Sequence, residues 1–215
     1  LARDTWLQDH IILGYRTLSR ITFAEGEVDQ TLQGLSELEY LGHERQLPRL
    51  VAAARLERAR LLLLQGHTVA ARDELRHAGT PELWQTVAAR RHPGHDTEDA
   101  QIGLLRWQAV AGDAREAIPA LETAALQARQ DVLVRREHTL RLLQATALAR
   151  AGDLSAAQSM LLEVLAACCA EGAMRLVIDE RPPAALVAAL CQSSSDDPHA
   201  DPILVDYLQR LRLAL

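Results

Sequence analysis

At 215 residues and 48% hydrophobic content the chain can bury a sizeable core, and with only 3% aromatics that core must be built from Leu, Ala and Val. The formal net charge of −6 argues against a nucleic-acid footprint, and no signal peptide or run of about 18 apolar residues points to a membrane or export. Three cysteines without framework spacing (Cys168, Cys169 and Cys191) fit a reducing compartment, so the chain reads as cytoplasmic.

All 23 basic residues are Arg, and the chain has neither Lys nor Asn. Such a Leu/Ala/Arg/Glu-rich sequence favours helix. In chain order, helices are expected near 3–24, 28–42, 46–65, 68–78, 81–90, 97–111, 114–129, 132–151, 154–171, 183–192 and 202–214. Pro81 suits a first helical turn. RRHPGHDTED at 90–99 breaks the pattern with Pro93 and Gly94. LVIDE at 176–180 is the one β-like stretch, too short to stand alone. SSSDDPHADP at 193–202 is a polar loop, after which Asp201-Pro202 opens the last helix with a cap and a first-turn proline.

Four stretches share a stop-and-restart: ITFAEGEVDQTLQGL, LLLLQGHTVAARDEL, QAVAGDAREAIPAL and LARAGDLSAAQ. They align on Gly26, Gly66, Gly112 and Gly152, with equal spacing in the first and last pairs and a slightly wider gap between the middle two. Five residues on stand Thr31, Ala71, Ala117 and Ala157; nine on, Leu35, Leu75, Leu121 and Leu161; twelve on, Leu38, Ala78, Ala124 and Val164. Seven before stand Ser19, Ala59, Leu105 and Ala145. Each Gly is expected to end a helix in the left-handed conformation, and Asp113 and Asp153 to cap the next. The later offsets fall on one helical stripe, so each unit is an antiparallel helical hairpin. Recurrence on this scale means a solenoid. The Gly, Ala and large-apolar columns resemble the tetratricopeptide repeat, lengthened. The expected fold is all-α, a superhelical solenoid in one domain over 1–215, with units near 3–42, 46–78, 97–129 and 132–171 and capping helices over 173–215.

The segment Glu171-Gly172-Ala173-Met174-Arg175-Leu176-Val177-Ile178-Asp179-Glu180-Arg181-Pro182-Pro183 follows the last hairpin, and Tyr207-Leu208-Gln209-Arg210-Leu211 comes after it. This order resembles the helical-repeat sensor region of MalT-type LuxR-family transcriptional regulators, most closely over 100–215. The resemblance implies an effector or partner protein bound in the superhelix groove, with self-association, and a place between a nucleotide-binding module and a helix-turn-helix. Neither module is legible here, and without Lys no GxxxxGK[ST] loop can exist. The segment is therefore read as a fragment with no nucleic-acid contact of its own and no cofactor.

The column six residues before each Gly holds Arg20, Arg60, Arg106 and Thr146, with Arg16 one turn before Arg20. In tetratricopeptide-like superhelices this position tends to face the groove. Stacked guanidiniums offer rigid donor forks to a carboxylate, phosphate or acidic peptide. The plainer alternative is ion-paired helix arginines packed along their stems. Trp6, Trp84 and Trp107 read as packing between hairpins, His92 and His95 as loop residues without a third metal ligand, and the cysteines as small apolar residues. Arg175 with Asp179 and Glu180 reads as an ion pair at a helix end. No nucleophile, base and orienter come together, so no catalysis is expected. The readings that remain beside the regulator domain are a stand-alone adaptor for protein partners and a structural or dimerisation spacer.

Overall fold

The computed structural model describes residues 2–88 and 98–215, with side chains from Leu7 onward. Among the described residues there are twelve helices and no strand. Two compact units divide the chain, Leu1–Trp107 and Gln108–Leu215. Unit 1 holds α1 (Ala2–Ala24), α2 (Val28–Glu44), α3 (Pro48–Leu64), α4 (Thr68–Arg76), α5 (Pro81–Ala88) and the start of α6 (Ala100–Val110). Unit 2 holds α7 (Ala114–Gln130), α8 (Val134–Ala151), α9 (Leu154–Ala170), α10 (Met174–Glu180), α11 (Ala184–Asp196) and α12 (Pro202–Ala214).

The turns follow from one hydrogen-bond pattern. At Gly26, Gly66 and Gly152 φ is +85°, +82° and +93°. Each of these N–H groups bonds the carbonyl three residues back, and the next N–H bonds the carbonyl five back. That pair closes the otherwise unsatisfied end of a helix. The same bonds and a positive φ recur at Gln46 (+53°), Val132 (+58°) and Gly172 (+67°). The same turn therefore follows successive helices, at positions 26, 46 and 66 in unit 1 and at 132, 152 and 172 in unit 2, within a repeat whose buried columns recur every second helix. The sequence columns expose every second turn, and at two of the others Gln46 and Val132 stand where a glycine would have marked the turn.

Gly112 closes differently. Its N–H bonds the Gln108 carbonyl four back at 3.2 Å. The Arg150 guanidinium of α8 then covers the end of α6, donating to Ala109 O at 2.7 Å and Gly112 O at 3.3 Å. A cation at a helix C-terminus also suits the helix dipole. Asp113 accepts from the N–H groups of Arg115 and Glu116, Asp153 from that of Ala156, and Asp201 from that of Ile203, the caps expected from sequence.

The repeat columns form the core. Thr31, Ala71, Ala117 and Ala157 are all buried, as are Leu35, Leu121 and Leu161, whereas Leu75 is half-buried. A small side chain in the first column lets paired helices approach. In unit 2 the core continues from α8 and α9 into Val177, Leu186, Val187, Leu190, Tyr207, Leu208 and Leu211.

Residues 176–180, β-like in composition, lie in α10, one of the capping helices expected over 173–215, where Arg175 pairs with Asp179 one turn on at 2.8 Å and Val177 is buried. α11 also runs through Ser193–Asp196, past the expected end at 192. The expected loop at 90–99 and the end of the 81–90 helix lie largely outside the described residues.

Candidate functional site

Three of the four residues in the arginine column belong to unit 1, and the structure brings them together. Arg20 is on α1, Arg60 on α3 and Arg106 on α6, with Arg16 one turn before Arg20. Residues four apart on a helix share a face, so α1 presents Arg16 and Arg20 together to α3. There they meet Glu57, which is only 1% exposed. Arg20 Nε and Nη2 donate to the two Glu57 oxygens at 2.9 Å each. Arg60, three residues on, donates from Nε at 2.9 Å and Nη2 at 2.6 Å. Arg16 Nε stands 3.6 Å from the same carboxylate.

A second carboxylate extends the cluster. Glu98, just before the α6 cap, takes a two-pronged grip from Arg106: Nη1 to Oε2 at 3.0 Å and Nη2 to Oε1 at 2.7 Å. Arg20 Nη2 lies 3.9 Å from Glu98 Oε1, linking the two halves. Such forked guanidinium–carboxylate pairs are the strong form of the interaction. Burial pushes both carboxyls towards neutrality. For Glu57 the positive charges of Arg20 and Arg60 outweigh it and hold the carboxyl well below its ordinary value. For Glu98 Arg106 does the same, bringing it to about 2. Both are therefore anions at neutral pH.

Arg60 and Arg106 are as closed off as the glutamates, whereas the Arg20 side chain keeps 19% of its surface exposed. Arg20 is the open edge of the cluster. Thr146, the fourth residue of the column, belongs to unit 2, and its hydroxyl donates to Leu142 O of its own helix at 3.0 Å.

The opposite side of α3 carries a separate ionic ladder. Arg55 and Arg58 donate to Glu39 of α2 at 2.9 Å, and Arg58 also reaches Glu74 of α4 at 3.2 Å. Both tryptophans with described side chains are used in packing. Trp84 donates to Ala78 O at 2.8 Å, and Trp107 to Thr68 O at 2.9 Å with Arg72 stacked 4.7 Å from its ring centroid. His92, His95 and the Trp6 side chain lie outside the described residues. Among the described residues no cluster of three His, Cys, Asp or Glu is placed to hold a metal.

Sequence reasoning found the arginines and missed Glu57 and Glu98. The spacing of Glu57 and Arg60 on one helical face was the available signal for the first. For Glu98 helical spacing offered no signal, because it precedes the start of α6 at Ala100 and is therefore not aligned with Arg106 on one helix, while Arg20 is remote in sequence.

The long helices closed by left-handed turns, the buried small-residue column and the helical tail of α10 to α12 describe a repeat of one kind. A protein-family model described as MalT-like TPR region matches residues 1–195. The chain belongs to that family. Comparison with curated proteins and with solved structures found no match. As a MalT-like TPR region the chain is a helical-repeat domain of the kind found in MalT-type regulators, built for sensing or interaction. Among its described residues no helix is long and apolar enough to cross a membrane.

Proposed function

We propose that this MalT-like TPR region is the effector-sensing and protein-interaction part of a bacterial LuxR-family transcriptional regulator, working in the cytoplasm without DNA contact or cofactor of its own. The observation that carries the reading is the family match over residues 1–195. Ligand binding would shift the regulator between an inhibited and an active arrangement, and to do so it must bind the active one more tightly.

The Arg16, Arg20, Arg60 and Arg106 cluster is the proposed ligand site, with Thr146 as the matching position of unit 2. An acidic effector, or an acidic segment of a partner protein, would approach at Arg20. Its carboxylate or phosphate would compete with Glu98 for the guanidiniums, since the forked geometry already used by Glu98 suits either group. The test is a thermal-shift screen of the chain with carboxylates, sugar phosphates and neutral sugars, repeated on Arg20→Gln. The proposal expects an acidic compound that stabilises the chain and loses its effect in the variant. A ligand equally effective on both proteins would place the site elsewhere.

A further inference from the structure

The two carboxylates of the arginine cluster are held in different ways. Glu57 lies within α3, so the helix fixes its backbone, and Arg20 and Arg60 grip its side chain from two sides. Glu98 lies outside the helix, two residues before α6 begins at Ala100, and Arg106 grips it from within α6. The cap of α6 is a different residue: Asp99 accepts from the Ile102 N–H at 3.0 Å. With Asp99 in place, α6 keeps its first turn closed when Glu98 swings away. Glu57 then still holds Arg20 and Arg60 where they are.

The surroundings of Glu98 suit one kind of replacement. Its two oxygens fill the Arg106 fork at 2.7 and 3.0 Å. Oε1 also faces Arg20 Nη2, but at 3.9 Å, about 1 Å beyond a hydrogen bond. A carboxylate is planar and has no third oxygen to close that gap. A phosphoryl group fills the same fork with two oxygens and carries a third outside their plane. Its charge of about −1.5 to −2 also exceeds that of the carboxylate it replaces. The positive charges of Arg106, Arg16 and Arg20 all act on the Glu98 position, so several guanidiniums converge there. A phosphodiester has only two free oxygens and gains nothing over a carboxylate. Arg60 and Arg106 are closed off while Arg20 opens outward, so a terminal group can enter with the rest of its molecule left outside. We infer that the site takes the terminal phosphoryl group of a small phosphomonoester, which displaces Glu98 and bridges Arg106 to Arg20. This rests on the reading of the cluster as the ligand site and narrows its acidic effector to one chemical class.

Calorimetric titration of the whole chain with methyl phosphate and with acetate tests it, since each probe carries a single methyl group on its anionic head. Methyl phosphate should bind at least about ten-fold more tightly, the worth of one added hydrogen bond between charged groups. Arg20→Gln should bring the two affinities within about three-fold of each other, because only the third oxygen uses that donor. Glu98→Gln should raise the methyl phosphate affinity at least about ten-fold, because a tethered occupant lowers the apparent affinity of a free one. Circular dichroism checks that both variants fold, and the comparison on the unaltered chain stands whether or not they do. Acetate binding as tightly as methyl phosphate would overturn the inference and leave a general acidic-effector site. Inorganic phosphate binding where methyl phosphate does not would overturn it in favour of the free ion. A methyl phosphate affinity unchanged in folded Glu98→Gln would overturn the displacement. Failure of all three anions to bind either the chain or folded Glu98→Gln would overturn the ligand site itself, and the inference with it.

Discussion

Replacing Glu57 by Gln should destabilise unit 1 severely. The Glu57 carboxylate is the common acceptor for Arg20 and Arg60, at 2.6 to 2.9 Å, with Arg16 at 3.6 Å, and is 1% exposed. Gln keeps one acceptor oxygen, but it removes the charge and turns an amide donor towards guanidiniums that are donors themselves. Removing one partner of a buried ion pair costs about 3–5 kcal/mol, because the remaining charge cannot regain water. Domains of this size have stabilities of about 5–15 kcal/mol, so the loss is a large share. Urea unfolding followed by tryptophan fluorescence reads it directly, since Trp6, Trp84 and Trp107 all belong to unit 1. The midpoint should fall by roughly 2 M, given a slope of about 1–3 kcal/mol per M. A loss under about 1 kcal/mol would refute the reasoning, since that is the behaviour of a solvent-screened surface pair.

Acid should act on the same cluster. Glu98 is held at about 2 in the folded chain against an ordinary 4.5, and Glu57 is also held low. Their stabilisation is complete above the ordinary carboxyl range and is lost as pH falls from about 4.5 towards 2, so the urea midpoint read by tryptophan should drop in that window and Glu98→Gln should flatten the drop. Val132→Gly should stabilise unit 2 by about 1 kcal/mol in thermal melts, because a β-branched residue at φ +58° is strained where glycine is not; a loss would mean Val132 packs in a way its 71% exposure does not show. Tyr207→Phe should be neutral or stabilising by up to about 1 kcal/mol, since the buried hydroxyl has no hydrogen-bond partner among the described residues, and a clear loss in chemical denaturation would reveal one. At pH 8 iodoacetamide should modify half-buried Cys169 in the native chain and spare Cys168, whose thiol burial pushes up to about 12, and Cys191, also raised by burial; mass spectrometry of the peptides checks it.

The repeat was legible because its signals are local. Gly26, Gly66 and Gly152 need a left-handed backbone, and the alanines five residues on need a close neighbour, so residue type alone marks both. Gln46 and Val132 adopt the same backbone with residue types that do not advertise it, so the turns inside each two-helix period stayed hidden. α10 read as β-like because Leu176, Val177 and Ile178 are apolar or β-branched, yet the pairing of Arg175 with Asp179 and the burial of Val177 against the unit 2 core decide for helix. The arginine column was visible as a column. What its members meet was not, because Glu57 lies 37 residues from Arg20, and Glu98 approaches from outside the regular repeat.

The measurement that tests the regulator reading most directly is the translated sequence of the gene beyond Leu215. A helix-turn-helix is predicted there, carried by the same polypeptide as this MalT-like TPR region. A stop codon at that point would contradict the reading and leave a repeat adaptor for protein partners.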